Sequence, residues 1–208
     1  MSAETHGAAF DRSLQARRMQ AVIEQVRAAG ARSVLDAGCG DGDLLVRLAE
    51  LPGVERIVGL DPDPAKIVAA RAALGLDSHW ACPRLCLEPV SLFEYARAPE
   101  RFDVCTLVEV IEHLDPGRLE ALERALFKQI RPRVVVLTTP NRDYNAVLGM
   151  PPGSFRHPDH RFEWGRARFC EWSQRVASGH GLRVAFAGIG EIDPVLGAPT
   201  QMAVFVRN

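Results

Sequence analysis

The chain predicts a doubly wound α/β fold, a single mostly parallel seven-stranded sheet with an antiparallel edge, and three observations carry that reading. Short β-branched or apolar runs alternate with stretches of helical periodicity, the pattern of a parallel sheet covered on both faces. A glycine-rich turn follows the first such run and opens a helix, as at the carboxyl edge of an open sheet where ligands bind. The last two apolar runs lie close together with no convincing helix between them, which makes them an antiparallel pair.

In chain order, the first helix is expected at residues 13–29, where Leu14, Met19, Val22, Ile23 and Val26 recur at mostly three- and four-residue intervals before Gly30. Strands are expected at 33–36, 56–60, 84–88, 102–108, 133–138, 182–187 and 202–206. Further helices are expected at 44–50, 64–74, 117–129 and 166–178; Asp63 and Pro64 supply a cap and a first-turn proline for the 64–74 helix. Residues 140–165 form a long connection rich in Pro, Arg and His, and connections of that length tend to be functional. No repeat or low-complexity linker appears, so residues 1–208 read as a single domain.

Composition excludes several classes. Hydrophobic residues make up 47% and charged residues 25%, and no apolar run reaches the roughly 18 residues of a membrane span. The first ten residues carry Glu4 and lack the basic flank and apolar core of a secretory signal. Five cysteines (Cys39, Cys82, Cys86, Cys105 and Cys170) are odd in number and without metal-like pairing, which points to reduced thiols in a cytoplasmic protein. A net charge of −1 does not announce a nucleic-acid binder. Residues 124–183 nevertheless hold eleven Lys/Arg against four Asp/Glu, an ordinary solvated surface unless substrate lies there.

The glycine turn reads Val34-Leu35-Asp36-Ala37-Gly38-Cys39-Gly40-Asp41-Gly42. A dinucleotide site spaces its glycines as G-x-G-x-x-G and receives a pyrophosphate on backbone amides. Here the pattern is G-x-G-x-G, led by an acid. A carboxylate at Asp36 repels pyrophosphate but suits a ligand bearing an ammonium and a sulfonium, which is S-adenosylmethionine. Asp61 closes the second strand 25 residues later, where a carboxylate can accept both ribose hydroxyls of an adenosine. The competing reading makes these acids simple helix caps, as Asp63 is. The stretch 34–61 resembles the cofactor half of class I, Rossmann-like methyltransferases, a likeness silent about substrate.

Beyond the fourth strand, Glu109, Glu112 and His113 stand at i, i+3 and i+4, so a helical turn would project all three to one side. Two carboxylates and an imidazole at a sheet edge repel one another unless a divalent cation is shared. Alternatively, Glu112 and His113 are surface groups at a helix start. In the long connection, His157 and His160 lie within four residues, which favours a ligand role over plain solvation.

Residues 109–114, 139–145 and 156–164, with the closing Gly190-Glu191-Ile192-Asp193 and Pro199-Thr200-Gln201-Met202, resemble the signature of the small-RNA 3′-terminal 2′-O-methyltransferases. That family protects plant microRNAs and animal piwi-interacting RNAs, and its bacterial branch, which this chain resembles, acts in RNA repair. The likeness covers nearly the whole chain after about residue 15. It implies that Glu109, Glu112, His113 and His160 hold a divalent cation that contacts the 2′- and 3′-hydroxyls of the terminal ribose. It implies equally that Asp36, Gly38, Gly40 and Asp61 hold S-adenosylmethionine, with Ser91 near the adenine. Mixed carboxylate and imidazole ligands lean towards Mn²⁺, Co²⁺ or Fe²⁺, with Mg²⁺ still in the set.

Two departures stand out. Gly165-Arg166 replaces the family's Thr-Arg, losing a hydroxyl. Bacterial relatives carry a long N-terminal extension that activates an RNA ligase, whereas a short helix alone precedes the first strand here. The implied RNA-repair kinase/phosphatase–ligase partner is therefore the weakest of these expectations. The reading that results is metal-dependent methyl transfer to the 2′-hydroxyl of a single-stranded RNA 3′ end with a free 2′,3′-diol. Arg156, Arg161 and Arg166 are expected to hold its phosphates. A small-molecule O- or N-methyltransferase that kept the metal site is the rival enzyme, and a non-catalytic module that kept the cofactor pocket is the rival of another class.

Overall fold

The computed structural model describes residues 3–76, 84–97 and 100–207, with side chains of the first helix from residue 10 onward. Helix α1 (Ala3–Ala28) precedes β1 (Ser33–Ala37), α2 (Asp43–Ala49), β2 (Arg56–Leu60), α3 (Pro64–Ala73) and β3 (Leu85–Glu88). Then come α4 (Leu92–Tyr95), β4 (Val104–Val108), α5 (Leu119–Glu123), β5 (Val134–Pro140), α6 (Arg166–His180), β6 (Leu182–Ile189) and β7 (Thr200–Arg207). The strands join one seven-stranded sheet in the order β3-β2-β1-β4-β5-β7-β6. β7 runs antiparallel to both β5 and β6, and every other neighbouring pair is parallel.

The period-two alternation of a strand sorts the core into two layers. Val34, Ile57, Val104, Val134 and Val136 meet Met19, Val22 and Ile23 of α1 and the apolar sides of α2 and α3. Their neighbours Leu35, Val58, Cys105, Val135 and Leu137 meet Leu92 of α4, Leu119 and Leu122 of α5, and Phe169, Trp172 and Val176 of α6. A strand buried on both faces reads as an unbroken apolar run, and β5, buried at all seven residues, is the clearest case.

Several elements differ from expectation for local reasons. α1 begins at Ala3, ahead of the buried stripe of Leu14, Met19, Val22, Ile23 and Val26 that gives its later part a helical period. α4 is one turn, set by a capping box between Ser91 and Glu94, too short for a period to show. The expected 117–129 helix is a 3₁₀ turn (Pro116–Arg118), then α5, then a π-helical turn (Arg124–Ile130) that ends on Arg131 at φ 54. The 140–165 connection holds a 3₁₀ helix (Arg142–Ala146) and a bridge between Asn141 and Trp164. Cys39, Cys86, Cys105 and Cys170 are free thiols, while Cys82 lies outside the described residues. Among the described residues no helix is long and apolar enough to cross a membrane.

Candidate active site

The carboxyl ends of β1, β2 and β4 frame a cavity of about 780 Å³, and Asp36, Gly38, Gly40, Asp61 and Ser91 all line it. Gly38 turns at φ 85, where a Cβ would stand 2.6 Å from a Val110 methyl, so only glycine passes. The amides of Gly38 and Cys39 donate to the Leu60 carbonyl at 2.8 and 2.9 Å, clamping the loop to β2. Asp61 fixes the same turn, with Oδ2 accepting the Gly40 amide and Oδ1 the Asp63 amide, each at 3.0 Å. Asp36 is 2% exposed, and burial pushes its carboxyl up to about 7 against the opposing hydrogen bond from Thr106, at 2.7 Å. Ser91 is already engaged as the α4 cap, donating to Glu94 at 2.6 Å.

β4 leaves the sheet through Glu109, a non-glycine residue at φ 55, a left-handed conformation that costs on the order of 1–3 kcal/mol and clusters at functional sites. The following turn, Ile111–His113, brings Glu112 and His113 beside His160 from the long connection, with one ligand atom of each within 4.8 Å of the others. The Arg161 amide donates to the Glu112 carbonyl at 2.7 Å, which holds that connection against the turn. Glu112 is fully buried; Thr139 Oγ1 donates to its Oε2 at 2.9 Å, and its Oε1 has no partner among the described residues. Burial, then the adjacent Glu109 charge, pushes Glu112 well above the ordinary carboxylate range. Burial, then the charges of His160 and His157, lowers His113 below the ordinary imidazole range, which favours its neutral form.

Glu109 is not among the three converging groups. Its Oε1 accepts from Thr138 at 3.0 Å and its Oε2 meets Arg18 of α1 at 3.2 Å. Sequence reasoning passed over Arg18, as well as Glu163, whose Oε1 stands 2.6 Å from His160 Nδ1. With Nδ1 so held, His160 offers Nε2 to the cluster, as a carboxylate–histidine pair does in metal sites. Burial would raise Glu163, but hydrogen bonds from His160, the Arg156 amide and Asn145 outweigh it and hold the carboxyl below its ordinary value. His157, whose ring centre is 6.0 Å from His113 and 5.7 Å from His160, completes a group of three imidazoles.

The three arginines expected at substrate separate. Arg156 is half-buried and donates to Asn145 Oδ1 and to the carbonyls of Pro199 and Asn141, so its guanidinium is engaged in the fold. Arg166 lines a separate cavity of about 280 Å³ with Phe169 and Phe186, and donates to the Val195 carbonyl. Arg161 is exposed near Asp115, at 4.0 Å.

A family model described as a methyltransferase domain matches residues 10–190, which sets the class. The methyltransferase domain of bacterial CtHen1 superposes with a TM-score of 0.81 at 37% identity, over 93% of this chain and 99% of that one. The small RNA methyltransferase HEN1 superposes at 0.83 with 28% identity, over 94% of this chain and 26% of that one. The small RNA 2′-O-methyltransferase of Xenopus tropicalis is 33% identical over 208 residues, 96% of this chain and 56% of that protein. The chain belongs to this methyltransferase family and is similar over nearly its whole fold to the methyltransferase domain of bacterial CtHen1. It spans about half the length of the curated animal relatives it matches.

Proposed function

We propose that the chain transfers the methyl group of S-adenosylmethionine to the 2′-oxygen of the 3′-terminal ribose of single-stranded RNA, with a divalent cation at Glu112, His113 and His160. The observation that carries this reading is the position of that cluster, whose His113 lines the same cavity as Asp36, Gly38, Gly40, Asp61 and Ser91. The donors fit a cation. Glu112 keeps a buried oxygen without a partner among the described residues, a state that costs about 1–3 kcal/mol and that a cation would relieve. Glu109 would join as a fourth ligand by exchanging Arg18 for the ion. When bound, the cation supplies Lewis acidity to a ribose hydroxyl that is otherwise a poor nucleophile near neutral pH.

The chain's own groups do the rest. Asp36 accepts the cofactor's ammonium, and Asp61 its ribose hydroxyls while pinning the glycine turn. Thr139 and Glu163 orient Glu112 and His160 through single short hydrogen bonds, the outer support that ligand groups need. The C–O bond then forms as the S–C bond breaks, S-adenosylhomocysteine leaves with the sulfonium's bonding pair and the hydroxyl proton passes to water, a step that requires in-line placement above all.

Labelled cofactor and a panel of acceptors test the reading. RNA ending in a 2′,3′-diol should gain one methyl group and become resistant to periodate. RNA ending in a 3′-phosphate or a 2′-deoxy residue should stay unlabelled, and exhaustive chelation should abolish transfer. Equal labelling of the 3′-phosphorylated strand, or labelling of free sugars and polyols alone, transfers the argument to a small-molecule acceptor.

A further inference from the structure

A second cavity, of about 960 Å³, shares Arg18 and Glu109 with the cofactor cavity and reaches His157 and His160. Its volume is at the upper end of the range for pockets that enclose a whole small molecule, so it holds more than one ribose. Helices α1 and α2 wall it. Two of its cations, Arg12 on α1 and Arg47 on α2, are exposed and make no hydrogen bond or ion pair with any described residue. The other two guanidiniums in the cavity are taken, Arg18 by Glu109, Gln15 and Thr200 and Arg156 by backbone carbonyls and Asn145.

We infer that Arg12 and Arg47 hold the phosphates that precede the 3′-terminal nucleotide, so that the RNA strand leaves the reaction centre along the α1–α2 groove. This rests on the RNA reading above and adds the path. The acceptor must approach from a side the cofactor does not fill, and this cavity adjoins the cluster there. The arginine-rich connection does not supply the same path, because Arg156 is engaged in the fold and Arg166 opens onto a different cavity. Asp11, Asp43 and Glu50 also line the groove, so it is no uniform cationic funnel. Phosphates are admitted at two points, and carboxylates repel them elsewhere. Such a groove grips a flexible single strand at discrete places and carries little base information.

The test measures anisotropy of 5′-fluorescein-labelled RNA with a 3′-terminal diol, across a range of salt, together with KM and kcat. Each phosphate contact contributes about 0.7 to the salt slope of a single strand, so Arg12→Ala/Arg47→Ala should lower the slope by about 1.4. Its affinity for RNA should fall roughly tenfold at 0.1 M salt, with KM rising in step, an estimate from the same counterion argument. S-adenosylmethionine affinity and kcat at saturating RNA should stay native, which shows that the variant is folded. Arg12→Lys/Arg47→Lys should recover most of the slope. Arg27→Ala, at the far end of α1 and outside the groove, controls for net charge and should change nothing. Native slope and KM in the double alanine variant overturn this path while leaving the RNA reading intact. If the unmodified protein methylates polyols and never RNA, both fall.

Discussion

Were Asp36 to receive the cofactor's ammonium, as proposed, burial and that charge would pull its proton in opposite directions. In the free protein, burial chiefly, opposed by the Thr106 hydrogen bond and reinforced by Asp61, raises the carboxyl to about 7. An ammonium beside it favours the ionised form, so binding must lower that value and release a proton wherever the free protein holds one. The sign follows: affinity for S-adenosylmethionine should strengthen as pH rises from 5.5 towards 7.5, by at most about tenfold per unit below 7, then level off. Calorimetry in buffers of different ionisation enthalpy should detect a proton released at pH 6 and far less at 7.5. Asp36→Asn should bind more weakly with a flat profile, and a flat profile in the native protein removes Asp36 from the ammonium site. The places of Asp36 and Asp61 were legible because each lies within one residue of a strand end, and those of Glu112 and His113 because they fall in the turn that follows β4. Arg18 and Glu163 were not. Arg18 meets Glu109 from a distant segment, and nothing in the spacing of an arginine on a helix says which acid it will meet; Glu163 meets His160 three residues before it, in a connection without a period to show the contact.

At the scale of elements, the hydroxyl missing from Gly165 has a replacement. Gly165 is the N-cap of α6 and offers no side chain, yet the Arg166 amide donates to Asp143 Oδ2 at 2.9 Å. A Cβ on residue 165 would lie 2.3 Å from Asp143 Oδ1, so a threonine there and the present position of Asp143 exclude one another. The carboxylate caps the helix from the neighbouring 3₁₀ turn and adds a negative charge at the positive end of the helix dipole. Asp143→Ala should cost about 1 kcal/mol, a fall of roughly 2–4 °C in Tm for a chain of this size. Adding Gly165→Thr to that variant should restore most of the loss, whereas Gly165→Thr alone should bring no gain because it collides with Asp143. Thermal denaturation of the three variants decides it; an unchanged Tm in Asp143→Ala refutes the cap. The element pattern itself was readable where periodicity ran for two turns or more. It failed at α4 and at the π-helical turn, whose geometry depends on four to seven residues and on what they pack against.

The whole molecule joins two regions that the linear order separates, and Arg156 is the joint. Alternation of apolar runs made the doubly wound sheet legible, and the loss of a helix between β6 and β7 foretold the antiparallel strand. The tie between the 140–165 connection and the start of β7 was not legible, because it consists of side chains that reach backbone carbonyls. Asn141 donates to the carbonyls of Leu196 and Ala198, and Gln201 to those of Pro140 and Trp164. Arg156 donates to Pro199 on one side and to Asn141 and Asn145 on the other, while its amide holds Glu163, the partner of His160. A phosphate-binding arginine and a structural one therefore predict opposite outcomes for the same change. Arg156→Ala removes charge-assisted hydrogen bonds worth about 1.5–3 kcal/mol each and strands half-buried carbonyls, so a loss near 3 kcal/mol is expected after local relaxation. Tm should drop by roughly 6–12 °C, since 1 kcal/mol shifts a domain of this size by about 2–4 °C. Hydrogen exchange should quicken in residues 141–164 and at the start of β7, while S-adenosylmethionine still binds at the opposite part of the sheet edge. The salt slope of RNA binding should change by less than one phosphate's worth, about 0.7. A variant with native Tm and exchange but a slope reduced by that amount would return Arg156 to the substrate and deny it the structural role.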